Sequence, residues 1–122
     1  MVALKLFFLT ILTYVYVSNG NTITKPIELT GPEREAAVER LYTGLHKVVL
    51  AGGPVYKVLN VRKVFNIKSS GYSEDIYNTG LAVGRVPKAC VVKKSIDTRS
   101  PSKPINKIKI FCNFILEFQK NY

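Results

Sequence analysis

The sequence predicts an α+β fold in which a single N-terminal helix packs on a curved antiparallel β-sheet. Two observations support this class. An apolar stripe with helical spacing runs through residues 38–49, and the segments after it are rich in alternating apolar and β-branched residues. A helix with one apolar stripe and a sheet with one apolar face bury each other in two layers.

The N-terminal segment has the layout of a secretory signal peptide. Lys5 precedes an apolar run from residue 6 to 17, and the small residues Ser18 and Gly20 follow it. An uncleaved anchor is the alternative, but the run is shorter than the roughly 20 apolar residues that span a bilayer. We therefore expect residues 1–20 to be removed. Residues 21–122 then form one secreted domain with no transmembrane segment.

The helix is expected to begin after Thr30, because Thr30 and Glu33 have capping-box spacing and Pro32 fits the first turn. Residues 52–54, Gly-Gly-Pro, end it. Apolar residues at spacings of three and four predict the buried stripe, which consists of Val38, Leu41, Tyr42, Leu45, Val48 and Val49.

Three antiparallel strands are predicted after the helix. Residues 55–67 are dense in β-branched and aromatic side chains, and a Ser- and Gly-rich turn follows at 68–74. A longer strand region covers about 76–96, where a bend, bulge or edge position is indicated by Gly80, Gly84 and Pro87.

The third strand is expected over residues 108–118, after a proline-containing loop at 97–104. Six apolar residues lie at alternate positions of this strand, which predicts that these six face the core. They are Ile108, Ile110, Cys112, Phe114, Leu116 and Phe118.

Positive charge is concentrated in the C-terminal half. Of the chain's 18 basic residues 17 remain after Lys5 is removed, against 8 acidic ones, so the secreted domain has a formal charge of +9. The positive electrostatic field of such a charge attracts anionic surfaces or polymers. A candidate patch flanks the 97–104 loop, and the alternative is a solvated polar face. The patch consists of Lys93, Lys94, Arg99, Lys103, Lys107 and Lys109.

The two cysteines, Cys90 and Cys112, have only one possible pairing. Because secretion exposes the chain to oxidising surroundings, we expect a disulfide, with two buried free thiols as the alternative.

The residue types required for catalysis are scarce, so an enzyme is not expected. His46 is the only histidine and is expected to be solvent-facing or half-buried on the helix. One histidine and two cysteines cannot form a structural zinc site, and no phosphate-binding glycine pattern occurs. We predict no catalytic residues, no metal and no cofactor. Nucleic-acid binding is not expected either, because no reader motif accompanies the basic charge.

One local motif indicates a family. The segment Lys109-Ile110-Phe111-Cys112-Asn113-Phe114 resembles the start of a late strand in secreted cystatins, and Cys90 is similar to the cysteine that ends their preceding strand. Together with the order of signal peptide, helix and antiparallel strands, this chain resembles the cystatin superfamily, including the cathelin-like domain.

This resemblance implies a cystatin-like fold and inhibition of papain-like cysteine proteases. Family members use an N-terminal glycine, a first hairpin loop with Gln-x-Val-x-Gly and a second hairpin with Pro-Trp. The first motif is absent, and the turn in its place, a candidate protease contact, consists of Ser69, Ser70, Gly71 and Tyr72. The chain has no tryptophan. It ends four residues after Phe118, so we expect the second hairpin and the final strand to be missing.

The family's usual disulfide partners are also absent, so Cys90 and Cys112 are expected to bond to each other.

Three functions follow as hypotheses. The first is a secreted cystatin-like binder that inhibits a cysteine protease. The second is a non-inhibitory basic effector, of the venom, salivary or host-defence kind, that binds anionic surfaces. The third is a structural or carrier domain.

Overall fold

A computed structural model describes residues 25–99 and 101–121, so the predicted signal peptide lies outside the described residues. One helix packs on one antiparallel sheet of six strands, whose order in the sheet is their order in the chain. The α+β class is confirmed. The elements are β1 (Ile27–Glu28), α1 (Gly31–Leu50), β2 (Tyr56–Ser69), β3 (Tyr72–Val83), β4 (Val86–Asp97), β5 (Ile105–Cys112) and β6 (Ile115–Asn121).

The prediction of three strands is wrong, because two of the three predicted regions are hairpins. The 76–96 region turns at Gly84, where a φ of 61° suits glycine. The 108–118 region turns at Asn113 and Phe114. The described region after the helix therefore contains five strands, β2 to β6, instead of the three predicted. The 98–104 loop joins β4 to β5, and β6 follows.

A bulge explains why β5 and β6 look like one strand. Ile110 pairs with Phe118 but Phe111 pairs with Leu116, so Glu117 is an extra residue in β6. Because of this extra residue, Phe118 lies on the core face of the sheet, as its partner Ile110 does. Phe114, predicted to be buried, is fully exposed at 101%, and Leu116 is 46% exposed.

The core lies between α1 and one face of the sheet. Four fully buried residues stand opposite one another on adjacent strands and are Val64, Tyr77, Val92 and Ile110. Cys90 and Cys112 extend the same face and form the predicted disulfide. The opposite face, called the open face here, is covered by no described element.

The prediction of which α1 residues face the sheet is partly wrong. Tyr42 is 54% exposed and Val49 is 38% exposed, although both were placed on the buried stripe. The helix turns smaller residues toward the sheet, and its buried residues are Ala37, Leu41, Gly44, Leu45 and Val48. A Cβ on Gly44 would lie 3.2 Å from Ile108 Cδ1, so glycine permits this close approach.

The C-terminal end of α1 is as predicted, but its N-terminal cap is not. Thr30 makes no side-chain capping hydrogen bond, so the predicted capping box does not form. At the other end, Gly52 has a φ of 84° and Gly53 N donates to Val48 O, as in a glycine-terminated helix.

A buried polar cluster ties the helix to the sheet. The Tyr77 hydroxyl donates to Ala37 O over 2.6 Å, and Arg40 Nε donates to Asp75 Oδ2 over 2.8 Å. Asn66 Nδ2 donates to Asp75 Oδ1 over 2.9 Å. Burial, and next the Asp75 charge, raise the pKa of Tyr77, which therefore stays protonated as a donor. These bonds fix the angle of α1 on the sheet.

Candidate functional site

Two hairpin connections and the N-terminal segment lie at one end of the sheet, called the loop end here. The first connection is the 69–72 turn between β2 and β3, and the second is the 98–104 loop between β4 and β5, of which residue 100 is outside the described residues. Both lie at this end because β2 and β4 run in the same direction.

The N-terminal segment reaches the same end. Ile27 pairs with Asn66 and Glu28 with Phe65 in an antiparallel register, and Leu29 N donates to Val64 O over 2.8 Å. The described residues before Ile27, which are Lys25 and Pro26, therefore lie nearer to the Ser69 end of β2. The described residues of this segment, Lys25 and Pro26, are exposed.

The turn and the loop are bonded to each other. Thr98 N donates to Gly71 O over 2.8 Å, and the Thr98 hydroxyl donates to the same oxygen over 3.1 Å. Gly71 has a φ of 74°, and a Cβ there would lie 2.7 Å from Arg99 Cγ. Glycine is therefore required twice, by the backbone conformation and by the contact.

Arg99 is held in a fixed position at this junction. Its Nε and Nη2 donate to the two Asp97 carboxylate oxygens over 2.9 and 2.8 Å, and its guanidinium lies 5.4 Å from the Tyr72 ring centroid. The hydrogen bond from Arg99 lowers the pKa of Asp97 to about 2. The loop end therefore presents a cation on an aromatic ring, pre-positioned by a bidentate ion pair.

Of the predicted contact residues, the structure brings all four of the turn together. Ser69 is the last residue of β2 and Tyr72 the first of β3, and the two pair across the turn, while Ser70 and Gly71 form its tip. Ser70 is exposed and the other three are half-buried.

The structure divides the residues of the predicted basic patch between the two faces of the sheet and the 98–104 loop. Lys93, Lys107 and Lys109 lie on the open face, where Lys93 is directly opposite Lys109. Arg99 and Lys103 belong to the 98–104 loop. Lys94 lies on the helix side, because consecutive strand residues point to opposite faces.

Lys94 borders a cavity between α1 and the sheet. The cavity has a volume of about 560 Å³ and is also lined by Arg40 and Asp75. Burial, followed by the positive charge of Lys47, lowers the pKa of Lys94. This lysine therefore belongs to the polar cluster under the helix and is separated from the other five residues of the patch.

Other chemistry is limited in the part of the chain that the structure describes. His46 is exposed on the outer side of α1. Residues 25–99 and 101–121 contain no group of three or more metal-ligating side chains, and no helix among them is long and apolar enough to cross a bilayer. Comparisons with protein-family models, with curated proteins and with solved structures find no match to this chain.

Sequence reasoning missed three residues beside the β5–β6 turn. Arg62 and Lys63 lie on a different strand from Lys93 but line the same depression on the open face, together with Phe114. Only the strand register brings these cations together, because more than twenty residues separate them in sequence. Phe114 was missed because its parity matched the core.

Proposed function

We propose that this protein is a secreted, cystatin-like binding protein, not an enzyme, and that its loop end occupies the substrate cleft of a papain-like cysteine protease. The observation that carries the proposal is the convergence of three segments at one end. The 69–72 turn and the 98–104 loop are hydrogen-bonded to each other, and β1 places Lys25 and Pro26 at the same end.

The order of the elements supports the cystatin-like assignment. The helix lies between β1 and β2 in the chain, and each later strand pairs with the strand before it. A tail and two hairpin loops at one end of such a sheet are the parts of the cystatin wedge. The disulfide supports secretion, because cystines persist in oxidising compartments.

The rigidity of the loop end supports a role in binding. An interface that is already ordered loses less conformational entropy on association than a mobile loop does. Thr98 ties the loop to the turn and Asp97 fixes Arg99, so the turn and residues 97–99 present one arrangement to a partner. The side chains at the tip are small, since Ser70 and Gly71 form it, and this suits entry into a narrow cleft.

The chemistry of the loop end points to a particular kind of protease. Gln-x-Val-x-Gly and tryptophan are absent, and Tyr72 with Arg99 takes their place as the aromatic and charged contact. Three further exposed cations belong to the segments at the loop end, and they are Lys25, Lys68 and Lys103. Complementarity therefore favours a papain-like enzyme whose cleft is bordered by acidic residues.

The test is an inhibition titration of residues 21–122, called the mature protein here, against a panel of papain-like enzymes. We expect competitive inhibition at submicromolar concentration by the wild type. Arg99→Glu should weaken it by about tenfold or more, since the substitution reverses a fixed charge in the contact. Arg85→Glu is the matched control, because Arg85 is exposed in the turn between β3 and β4 at the opposite end of the sheet.

No inhibition of any enzyme at tens of micromolar would discard the proposal. Equal weakening by Arg99→Glu and Arg85→Glu would show that only net charge matters, and it would remove the loop end from the mechanism.

A further inference from the structure

The turn between β5 and β6 has a backbone that does not suit its sequence. Asn113 and Phe114 have φ values of 53° and 65°, both in the left-handed region. Two-residue hairpin turns of this kind favour Asn-Gly, and a bulky residue at the second position is an outlier. Phe114 thus occupies a position where glycine would be less strained.

The Phe114 side chain is not buried, so packing in the core does not offset this backbone strain. Its side chain is fully exposed, and the next two residues, Ile115 and Leu116, are 67% and 46% exposed. Three consecutive apolar side chains therefore protrude at a turn, where polar residues are usual. Backbone strain that the core does not explain is found at functional sites.

The 113–116 tip is firmly held. Asn113 N donates to Ala89 O over 3.0 Å, and the Cys90–Cys112 disulfide lies directly behind the turn. Cys112 pairs with Ile115 across the base of the hairpin. The protein thus presents this aromatic side chain from a rigid support.

A basic depression lies beside the tip on the open face. It has a volume of about 590 Å³, and Phe114 forms part of its wall. Its cations are Arg62, Lys63 and Lys93, and no carboxylate lines it. None of these three takes part in an ion pair with any residue in the described ranges. Lys93 Nζ lies 5.6 Å from the centroid of the Phe111 ring, which forms the floor with Val91.

We propose that the 113–116 tip and the basic depression form a binding site for the anionic surface of a phospholipid bilayer. Lipid phosphates occupy the depression, and Phe114 with Ile115 enters the boundary between headgroups and acyl chains. Charge complementarity favours the phosphates. The protruding apolar tip favours a deformable apolar medium over a sulfated polymer, which would need the cations alone.

This site is independent of the proposed protease contact. The 113–116 tip follows the C-terminal end of β5, whereas the 98–104 loop precedes its N-terminal end. Eight residues of β5 separate them, which corresponds to about 26 Å along an extended strand. A protein bound to a bilayer through the tip therefore keeps its loop end free.

The experiment is co-sedimentation of the mature protein with phosphatidylcholine vesicles with or without phosphatidylserine. We expect binding only with phosphatidylserine, and loss of binding as salt is raised. Phe114→Gly should weaken binding by about tenfold, and Lys93→Gln by about fivefold. Tyr42→Ala and Lys103→Gln are matched controls, since Tyr42 is an exposed aromatic on α1 and Lys103 an exposed lysine of the loop end.

Phe114→Gly separates binding from folding, because it relieves backbone strain and should leave the melting temperature unchanged or higher. Wild-type affinity in this variant would overturn the proposal. Retention on heparin resin without vesicle binding would overturn it too, since the open face would then take a sulfated polymer. An equal loss of vesicle binding in the two control variants would assign binding to overall charge and hydrophobicity, and it would also refute the site.

Discussion

Replacing Leu41 by alanine tests how the helix faces the sheet. Leu41 is 1% exposed and belongs to the single core cluster between α1 and the strands. The substitution removes three carbons, worth about 2.4 kcal/mol of transfer free energy. Incomplete collapse of the cavity adds about 1 kcal/mol. We therefore expect the free energy of unfolding to fall by about 3 kcal/mol and the melting temperature by about 12–24 °C.

Tyr42→Ala is the matched control, because the sequence pattern places the two neighbours on one stripe and the structure separates them. Tyr42 is 54% exposed. The packing that its ring loses is partly offset by the higher helix propensity of alanine, so the change should stay within about 0.5 kcal/mol.

Urea unfolding followed by circular dichroism measures both variants. The midpoint of Leu41→Ala should move while the slope with urea stays constant, as expected for a change in native stability alone. Equal losses in the two variants, or a larger loss for Tyr42→Ala, would refute the orientation of α1.

Three further outcomes are expected. Replacing Cys90 and Cys112 by alanine should lower the free energy of unfolding in urea by about 3 kcal/mol, because the bond closes a loop with a sequence separation of 22; a loss below about 1 kcal/mol would contradict this. Because Arg99 depresses the pKa of Asp97 to about 2, the contact stabilises the folded loop above the ordinary aspartate pKa of about 3.9 and is lost as pH falls toward 2. Carboxyl NMR titration of Arg99→Gln should return the Asp97 pKa toward about 3.9, and an unchanged pKa would show that Arg99 is not its cause. Phe114→Gly should raise the free energy of unfolding by about 1 kcal/mol by removing left-handed strain, and a loss in the urea assay would contradict the strained turn.

The features that the sequence predicts correctly rest on local patterns or on elimination. Helix α1 follows from apolar spacing and from the glycines after Leu50, and the disulfide follows from having only two cysteines. Which face of the helix packs against the sheet is harder to predict, because hydrophobic patterns overlook small residues. Gly44 and Ala37 pack against the sheet, whereas the larger Tyr42 and Val49 do not.

The strand count and the surface clusters depend on information that is not local. The turn at Asn113 and Phe114 has no glycine or proline to mark it, and the bulge at Glu117 continues the apolar parity across it. The basic depression needs the register of β2 with β3 and β4, which places cations from distant segments together. The contact between Thr98 and Gly71 likewise joins two connections that the sequence does not relate.

Hydrogen exchange measured on the mature protein, with and without a papain-like protease whose nucleophilic cysteine is replaced by alanine, tests most directly whether the loop end is the binding end. We predict slower exchange around residues 69–72 and 98–104 in the complex, and unchanged exchange at the 113–116 tip. Unchanged exchange around both loop-end connections, or slower exchange at the tip alone, would contradict the account.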